Sequence, residues 1–231
     1  MRTPNELRPI VITRGYTEMT PGSVLMEMGR TRVLCTASFD DDIPRWMRDQ
    51  GKGWLTAEYN MLPGSSPERV SRSSVSGGRT KEIQRLIGRS LRSVVDLSAM
   101  GAAVLRIDCD VLQADGGTRT AAITGAWVAV KDAVAAGLAS GLITEDPVRD
   151  HCAAVSVGMI AGVPTLDLEY TQDAGAEVDL NVVMTGSGRL VEVQGTAEGK
   201  PFGRDDLDHM LDLATTGIAA LCTAQKAALA E

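Results

Sequence analysis

The chain is poor in the residues that build several common kinds of site. Aromatic residues make up 3% of its 231 residues, and it has two histidines and four cysteines. The cysteines are isolated in apolar surroundings, without a CxxC pair or a Cys/His ligand spacing, which argues against a zinc site and against a disulfide framework. We therefore expect buried free thiols at Cys35, Cys109, Cys152 and Cys222, in a core of mainly aliphatic side chains.

Long apolar segments are also missing from the sequence. No run approaches the roughly 20 residues of a membrane span, and the first residues lack the apolar stretch of a secretory signal. These features favour a cytoplasmic protein that has no membrane partner. The length and a hydrophobic content of 44% are sufficient for one domain with a large core.

Charge is distributed unevenly along the chain. The net charge is −7, which argues against indiscriminate binding to nucleic acids. Between Arg69 and Arg92, however, seven basic residues accompany one acid, so this window carries +6 and the remainder −13. One basic patch on an acidic body favours a localised site for a polyanion.

Hydrophobic periodicity predicts strands and helices in alternation. The predicted strands are 9–13, 23–28, 33–40, 104–112, 155–160, 165–170, 179–185 and 190–194, and the predicted helices are 81–97, 121–134 and 205–229. Thr80 is the predicted N-cap of the first helix. The polar stretches 40–53 and 64–78 are predicted to be irregular. Strand hairpins followed by helices recur in two halves, approximately 1–140 and 141–231, and indicate one α+β domain with an internal duplication.

The most informative segment is 115–120 (DGGTRT), between a predicted strand and a predicted helix. Gly116 and Gly117 allow the backbone to approach a ligand closely, Thr118 offers a hydroxyl group, and Arg119 offers a guanidinium. Free N–H groups and the dipole at a helix N-terminus favour an anion. The segment therefore predicts a phosphate site.

A second glycine-arginine element, 77–79, precedes the helix at 81–97 and can supply Arg79 to the same anion. Each element taken singly is equally consistent with a helix-start turn that carries a surface arginine. The sequence has no GxxxxGK[ST] motif, which excludes nucleotide binding by a P-loop.

Asp173 and Asp179 form a candidate acidic pair, since Asp179 opens an apolar strand and Asp173 follows the preceding strand. Two carboxylates near a phosphate suit Mg²⁺, which takes one or two protein ligands and keeps several waters. From the residues alone, turn-forming acids on a solvated loop are the simpler explanation. A turn likewise explains Glu198, and the solvated face of a strand explains Asp108 and Asp110.

Taken in order, the motifs resemble those of the ribonuclease PH family across essentially the whole chain. They are GWLTAEY at 53–59, MLP at 61–63, GGRT at 77–80, EIQRLIGR at 82–89, DCDVLQADGGTRT at 108–120, DLNVVMT at 179–185 and QGTAEG at 194–199. The resemblance implies a duplicated fold like that of ribosomal protein S5 domain 2, with mixed β-sheets and packed helices. It also implies a phosphate-dependent 3′-to-5′ exoribonuclease (tRNA nucleotidyltransferase). Such an enzyme trims the 3′ ends of tRNA precursors, and of rRNA, and releases nucleoside diphosphates.

The resemblance also implies roles for individual residues. The implied phosphate-binding residues are Arg79, Gly117, Thr118 and Arg119, and the implied catalytic residues are Asp173, Asp179 and Arg119. Asp173 and Asp179 would hold Mg²⁺, with inorganic phosphate as the co-substrate. The predicted RNA-binding residues are Arg69, Arg72, Arg85, Arg89 and Arg92. The implied partners are tRNA precursors, other RNA 3′ ends and further copies of the chain, in a hexameric ring built as a trimer of dimers.

Two alternative functions stay open from the sequence. The first is a catalytically silent RNA-binding ring subunit, although such a scaffold would need neither the arginines nor the acidic pair. The second is a metal-dependent hydrolytic nuclease, which would not need a phosphate site separate from the scissile bond. The loop 64–76 is also shorter than is usual in the family, with Gly64 where an arginine is usual, and this departure concerns RNA affinity more than chemistry.

Overall fold

A computed structural model of the chain describes residues 2–40, 51–73 and 77–230. These residues form two β-sheets with packed helices, which confirms the predicted α+β fold. The strands are β1 (Ile10–Arg14), β2 (Gly22–Met28), β3 (Thr31–Asp40), β4 (Trp54–Met61), β5 (Val104–Gln113), β6 (Cys152–Ile160), β7 (Val163–Leu166), β8 (Val178–Thr185) and β9 (Leu190–Ala197). The α-helices are α1 (Gly78–Arg92), α2 (Thr118–Ser140), α3 (Tyr170–Asp173) and α4 (Arg204–Ala230). Residues 41–50 and 74–76 of the predicted irregular stretches lie outside the described residues.

The first sheet has the strand order β1-β2-β3-β5-β4. Neighbouring strands are antiparallel except β4, which runs parallel to β5. Strand β4 was not among the sequence predictions, although Leu55, Ala57 and Tyr59 alternate with polar residues and face the core. That alternation is the signal from which the strand could have been predicted.

The second sheet has the strand order β7-β6-β8-β9, and all its neighbouring strands are antiparallel. In strand β8, Asp179 lies opposite Gly158 of β6 and Thr196 of β9. The strand order makes β9 an edge of this sheet, and its neighbour β8 carries Asp179, one of the predicted catalytic acids.

Helix α2 occupies the centre of the molecule. It packs against β2, β3 and β5 of the first sheet and against β6 of the second. By length and composition it is apolar enough to cross a membrane, but most of it is buried within the protein, as expected of a core helix. The four cysteines lie in this core as buried free thiols, as predicted.

Helix α1 differs from its prediction at both ends. It begins at Gly78 with Gly77 as the N-cap, so the predicted cap Thr80 instead lies buried in the first turn. It ends at Arg92 because the following residues pair with another part of the chain. Arg149 donates its backbone N–H to the Val94 carbonyl, and Asp96 donates its own to that of Pro147.

The predicted strand 165–170 was also wrong at its end. Strand β7 stops at Leu166 because the buried Asp167 adopts a positive φ of 55°, which a strand cannot accommodate. The chain then forms the short helix α3, which ends at Asp173. Helix α2 begins three residues earlier and ends six residues later than predicted, and Gly117 and Gly141 in the left-handed region mark its two ends.

Candidate functional site

The start of helix α2 has the geometry of an anion site. Gly116 and Gly117 have φ angles of 77° and 64°, a conformation that favours glycine, and the helix begins at Thr118. The N-cap residue of the helix is Gly117, which has no side chain to bond the first N–H groups. The first turn also contains no acidic residue. The first N–H groups of the helix therefore point outward without an intrahelical acceptor, and they can donate to an anion.

Buried contacts hold the loop before α2 in this orientation. Arg8 donates from Nη1 to the Asp115 carbonyl at 2.6 Å and from Nη2 to the Gly116 carbonyl at 3.4 Å. Thr31 Oγ1 donates to the Gly116 carbonyl at 2.6 Å and accepts the Asp115 N–H at 3.0 Å. Both carbonyl oxygens are therefore occupied by protein donors, and the loop is fixed at the start of α2.

Helix α1 begins in a similar way. Its N-cap, Gly77, makes no side-chain cap bond, and its first turn has no acidic residue. Arg79 is the second residue of α1, as Arg119 is the second residue of α2. Two uncapped helix starts therefore each carry an arginine.

The predicted acidic pair is held near these helix starts. A Cβ on Gly116 would lie 2.4 Å from the Leu168 carbonyl oxygen and 2.9 Å from the Tyr170 nitrogen, so the loop before α2 packs directly on the start of α3. Asp173 is the last residue of α3, and Asp179 lies in β8. The tight contact at Gly116 thus links segment 115–120, the phosphate segment, to the helix that carries Asp173.

Electrostatics show that the arginines and the carboxylates face one another. Burial and the neighbouring Asp173 together raise the pKa of Asp179 to about 6, although Arg119 and Arg79 oppose the shift. Burial also raises the pKa of Asp173, and Arg79, Arg119 and Arg8 oppose that shift. The structure therefore brings together the four side chains that the sequence singled out. Glu198 joins them, since its charge also raises the pKa of Asp179.

The acidic pair fits a magnesium ion. Asp179 Oδ1 is buried and has no hydrogen-bond partner among the residues that the structure describes, so it is available to a cation. Across the ranges that the structure describes, no cluster of three or more His, Cys, Asp or Glu side chains could enclose a metal ion. Mg²⁺ suits such a site because it keeps several waters and needs one or two carboxylates.

Three further side chains contact Thr118 or Arg119 and were missed from the sequence. The buried Tyr59 hydroxyl lies 2.9 Å from Thr118 Oγ1, and burial raises its pKa. Arg119 Nη1 donates to Gln194 Oε1 at 2.7 Å and to Glu82 Oε1 at 3.2 Å. No local signal pairs these residues, because the contacts join strands and helices that are distant along the chain.

The predicted RNA-binding arginines fall into two groups. Arg69, Arg72 and Arg85 are exposed. Arg89 is also exposed but forms an ion pair with Glu192, and Arg92 lies over the Trp54 ring at 4.8 Å while its Nη1 donates to the Leu55 carbonyl. Thus Arg92 has a packing role in the first sheet, whereas the first group is available to a ligand.

Comparisons with known proteins identify the family of the chain. Residues 6–136 match the family model described as the 3′ exoribonuclease family, domain 1, and residues 150–217 match domain 2 of the same family. A chain of the Archaeoglobus fulgidus exosome, solved with RNA bound to the active site, is similar in fold, with a TM-score of 0.83 and 20% identity. That similarity covers 96% of this chain and 90% of the other.

Rice (Oryza sativa) Rrp46 is also similar, with a TM-score of 0.75 and 18% identity over 97% of this chain and 95% of that one. Because the sequence identities are this low, the two similarities are evidence of a shared fold and of nothing more. The two matching family models cover most of the sequence. The chain therefore belongs to the 3′ exoribonuclease family, that of ribonuclease PH.

Proposed function

We propose that this protein is a phosphate-dependent 3′-to-5′ exoribonuclease that trims the 3′ ends of tRNA precursors and rRNA in the cytoplasm. The observation that carries the proposal is the convergence of Arg79 and Arg119 on Asp173 and Asp179. A silent ring subunit would need neither pair. Carboxylates alone would suffice for a hydrolytic nuclease, whereas two arginines at uncapped helix starts suit a separate, free phosphate.

Inorganic phosphate is the proposed nucleophile. The Arg79 and Arg119 guanidinium groups, the Thr118 hydroxyl and the N–H groups at the start of α2 would bind its oxygens and offset its charge. Without them, two anions would have to approach each other in a cleft where repulsion is strong. Binding in this way supplies positioning and electrostatic stabilisation and needs no covalent enzyme intermediate.

In the proposed reaction, a phosphate oxygen forms a bond to the phosphorus of the terminal phosphodiester, and the bond from that phosphorus to the preceding 3′-oxygen breaks. The products are a nucleoside diphosphate and an RNA that is one nucleotide shorter. In its protonated form, Asp179, whose pKa is raised to about 6, is suited to deliver a proton to the leaving 3′-oxygen, as an alternative to its role as a metal ligand.

Asp173 and Asp179 are the proposed ligands of Mg²⁺. When bound, this ion stabilises negative charge on the reacting phosphoryl oxygens. The unpartnered Asp179 Oδ1 supports this assignment. The protein itself holds the two carboxylates close together in a partly buried position, and the pKa of each is raised there.

RNA binding is proposed for the basic window, through the exposed side chains of Arg69, Arg72 and Arg85. Since the whole chain carries −7, one such patch offers limited attraction to a polyanion. A hexameric ring, assembled as a trimer of dimers, would place six patches around one RNA and raise the overall affinity by multivalency. The archaeal exosome that was solved with RNA bound to its active site supports RNA binding by analogy.

The proposal is tested by incubating the protein with a short 3′-extended RNA and Mg²⁺, with and without inorganic phosphate, and identifying the released nucleotides. Nucleoside diphosphates that form only with phosphate are expected. Monophosphates released without phosphate would indicate hydrolysis. An RNA that is bound but not shortened would indicate a silent ring subunit.

A further inference from the structure

We propose that Glu82 and Gln194 are positioning residues that hold the Arg119 guanidinium in the orientation needed to bind inorganic phosphate. This role rests on the proposed function and deepens it, since it names residues that would set the affinity of the phosphate site. Neither side chain is itself a phosphate ligand, because each presents an oxygen acceptor to Arg119.

One nitrogen of Arg119 makes both contacts. Nη1 donates to Gln194 Oε1 at 2.7 Å and to Glu82 Oε1 at 3.2 Å, and Gln194 Nε2 lies 3.5 Å from the same Glu82 oxygen. The three side chains therefore form a closed network. Arg119 is only 14% exposed, so the network holds a side chain that the surrounding protein already confines.

The remaining edge of the guanidinium is left for a ligand. Nε and Nη2 of Arg119 have no acceptor among the residues that the structure describes. These two N–H groups are parallel, and such an edge can bind two oxygens of one phosphate. With Nη1 held by the protein, the orientation of this edge is set before phosphate arrives, and less conformational entropy is lost on binding.

The network also joins separate parts of the fold. Glu82 lies on α1, which packs against β4 of the first sheet, and Gln194 lies on β9 at the edge of the second sheet. Arg119 lies at the start of α2 between them. The orientation of the phosphate-binding arginine thus depends on both halves of the chain.

The charge of Glu82 has two opposing effects on the affinity for phosphate, and an experiment can tell which one dominates. A carboxylate near an anion site repels the anion, so if repulsion dominated, removal of the charge would tighten phosphate binding. If positioning dominates, the same removal weakens binding. Glu82 is 42% exposed, and solvent screens its repulsion more than it affects a direct hydrogen bond.

The experiment measures the KM for phosphate and kcat for Glu82→Ala, Glu82→Gln and Gln194→Ala during phosphorolysis of a 3′-extended RNA. We expect Glu82→Ala to raise the phosphate KM roughly tenfold, in line with the loss of a charge-assisted hydrogen bond. Glu82→Gln keeps an acceptor oxygen and should fall between Glu82→Ala and the wild type. The RNA KM should stay within about twofold, because no RNA-binding group is altered. An unchanged or lowered phosphate KM would overturn the proposal.

Glu192→Gln is the matched control. It weakens another arginine–glutamate contact between α1 and β9, that of Arg89 with Glu192, two residues along the same strand. The phosphate KM should be unaffected by this change. A rise equal to that of Glu82→Ala would mean that general loosening between α1 and β9, and not the orientation of Arg119, sets the affinity.

A binding measurement separates this inference from the proposed reaction. The rise in Tm with inorganic phosphate, against potassium chloride of equal ionic strength, reports binding without turnover. If the wild type binds phosphate but releases no diphosphates, the proposed function fails, while a weaker phosphate-dependent rise in Glu82→Ala still supports the positioning role. A wild type that binds no phosphate would overturn the positioning role as well.

Discussion

The Asp179 carboxyl group lies in β8 near Asp173, and its Oδ1 atom is buried with no hydrogen-bond partner in the described part of the chain. Burial and the neighbouring acid raise its pKa to about 6, whereas Arg119 and Arg79 offset part of this effect. In the folded state Asp179 therefore holds its proton more tightly than in the unfolded chain. Ionisation of this residue opposes folding, although the proposed metal site requires the ionised form.

We expect Asp179→Asn to abolish phosphorolysis and to increase the free energy of unfolding at pH 7 by roughly 1–2 kcal/mol, after allowance for partial solvation. The difference from the wild type should be small near pH 4 and should grow as the pH rises to about 6, where the folded-state carboxyl ionises. Urea unfolding from pH 4 to 7 measures it. Wild-type turnover in the variant would refute a catalytic role.

Arg119 and Arg85 allow phosphate binding and RNA binding to be separated. Arg119→Ala should raise the phosphate KM roughly 10- to 100-fold, because it removes charge-assisted donors, and leave RNA binding nearly intact. Arg85→Ala, on the exposed face of α1, should weaken RNA binding and reduce its salt dependence with the phosphate KM unchanged. An equal loss of RNA affinity in Arg119→Ala would contradict the assignment.

At the scale of elements, the contact between the loop before α2 and the start of α3 determines the spacing of the site. Gly116 permits it in two ways, because its φ is 77° and because a Cβ there would lie 2.4 Å from the Leu168 carbonyl oxygen. Helix α3 carries Asp173 at its end. Any shift at Gly116 therefore moves the phosphate segment and the acidic pair relative to each other.

Gly116→Ala should lower the free energy of unfolding by about 2–4 kcal/mol and raise the phosphate KM, since strain and a backbone clash combine. Gly141→Ala is the matched control. Its φ is 75°, but a Cβ there would meet no atom within 4 Å, so the cost should be about 1 kcal/mol. Denaturant unfolding and the phosphate KM of both variants provide the comparison. Equal effects would mean that the contact with α3 is unimportant.

At the scale of the whole molecule, a buried ion pair ties three distant segments together. Arg8 donates from Nη2 to Asp167 Oδ1 at 2.6 Å and from Nε to Oδ2 at 3.0 Å, and the Arg8 backbone N–H donates to Oδ2 at 2.8 Å. Arg8 is 6% exposed and Asp167 is 0% exposed. Because Arg8 also bonds the carbonyls of Asp115 and Gly116, one side chain links the N-terminal segment, the start of α2 and the approach to α3.

Arg8→Met should lower the free energy of unfolding by about 3–5 kcal/mol, because it removes the nearer cation from the buried Asp167 carboxylate and leaves only Arg2, whose Nη1 is 3.6 Å from Asp167 Oδ2. The double variant Arg8→Met/Asp167→Asn removes that charge and should be more stable than Arg8→Met. Urea unfolding of the two variants and the wild type measures both effects. A double variant no more stable than Arg8→Met would show that packing, not the unpaired charge, accounts for the loss.

Much of the local structure could be predicted because it depends on short-range patterns. The alternation in β2, β3 and β5 and the helical spacing in α1 identify elements within a few residues of their observed ends. Their ends were less predictable where distant partners decide them. Helix α1 stops where residues after Arg92 bond to the segment around Pro147, and β7 stops where Asp167 turns to meet Arg8.

The sequence by itself determined the family, the α+β class and the candidate residues, because these follow from motifs and periodicity along a continuous stretch. Tertiary structure alone decided that Arg79 and Arg119 lie near the same two carboxylates, and that Tyr59, Glu82 and Gln194 contact Thr118 or Arg119. These contacts join residues more than 30 positions apart, so they depend on strand order and on the packing of α1, α2 and β9. No local pattern encodes such distances.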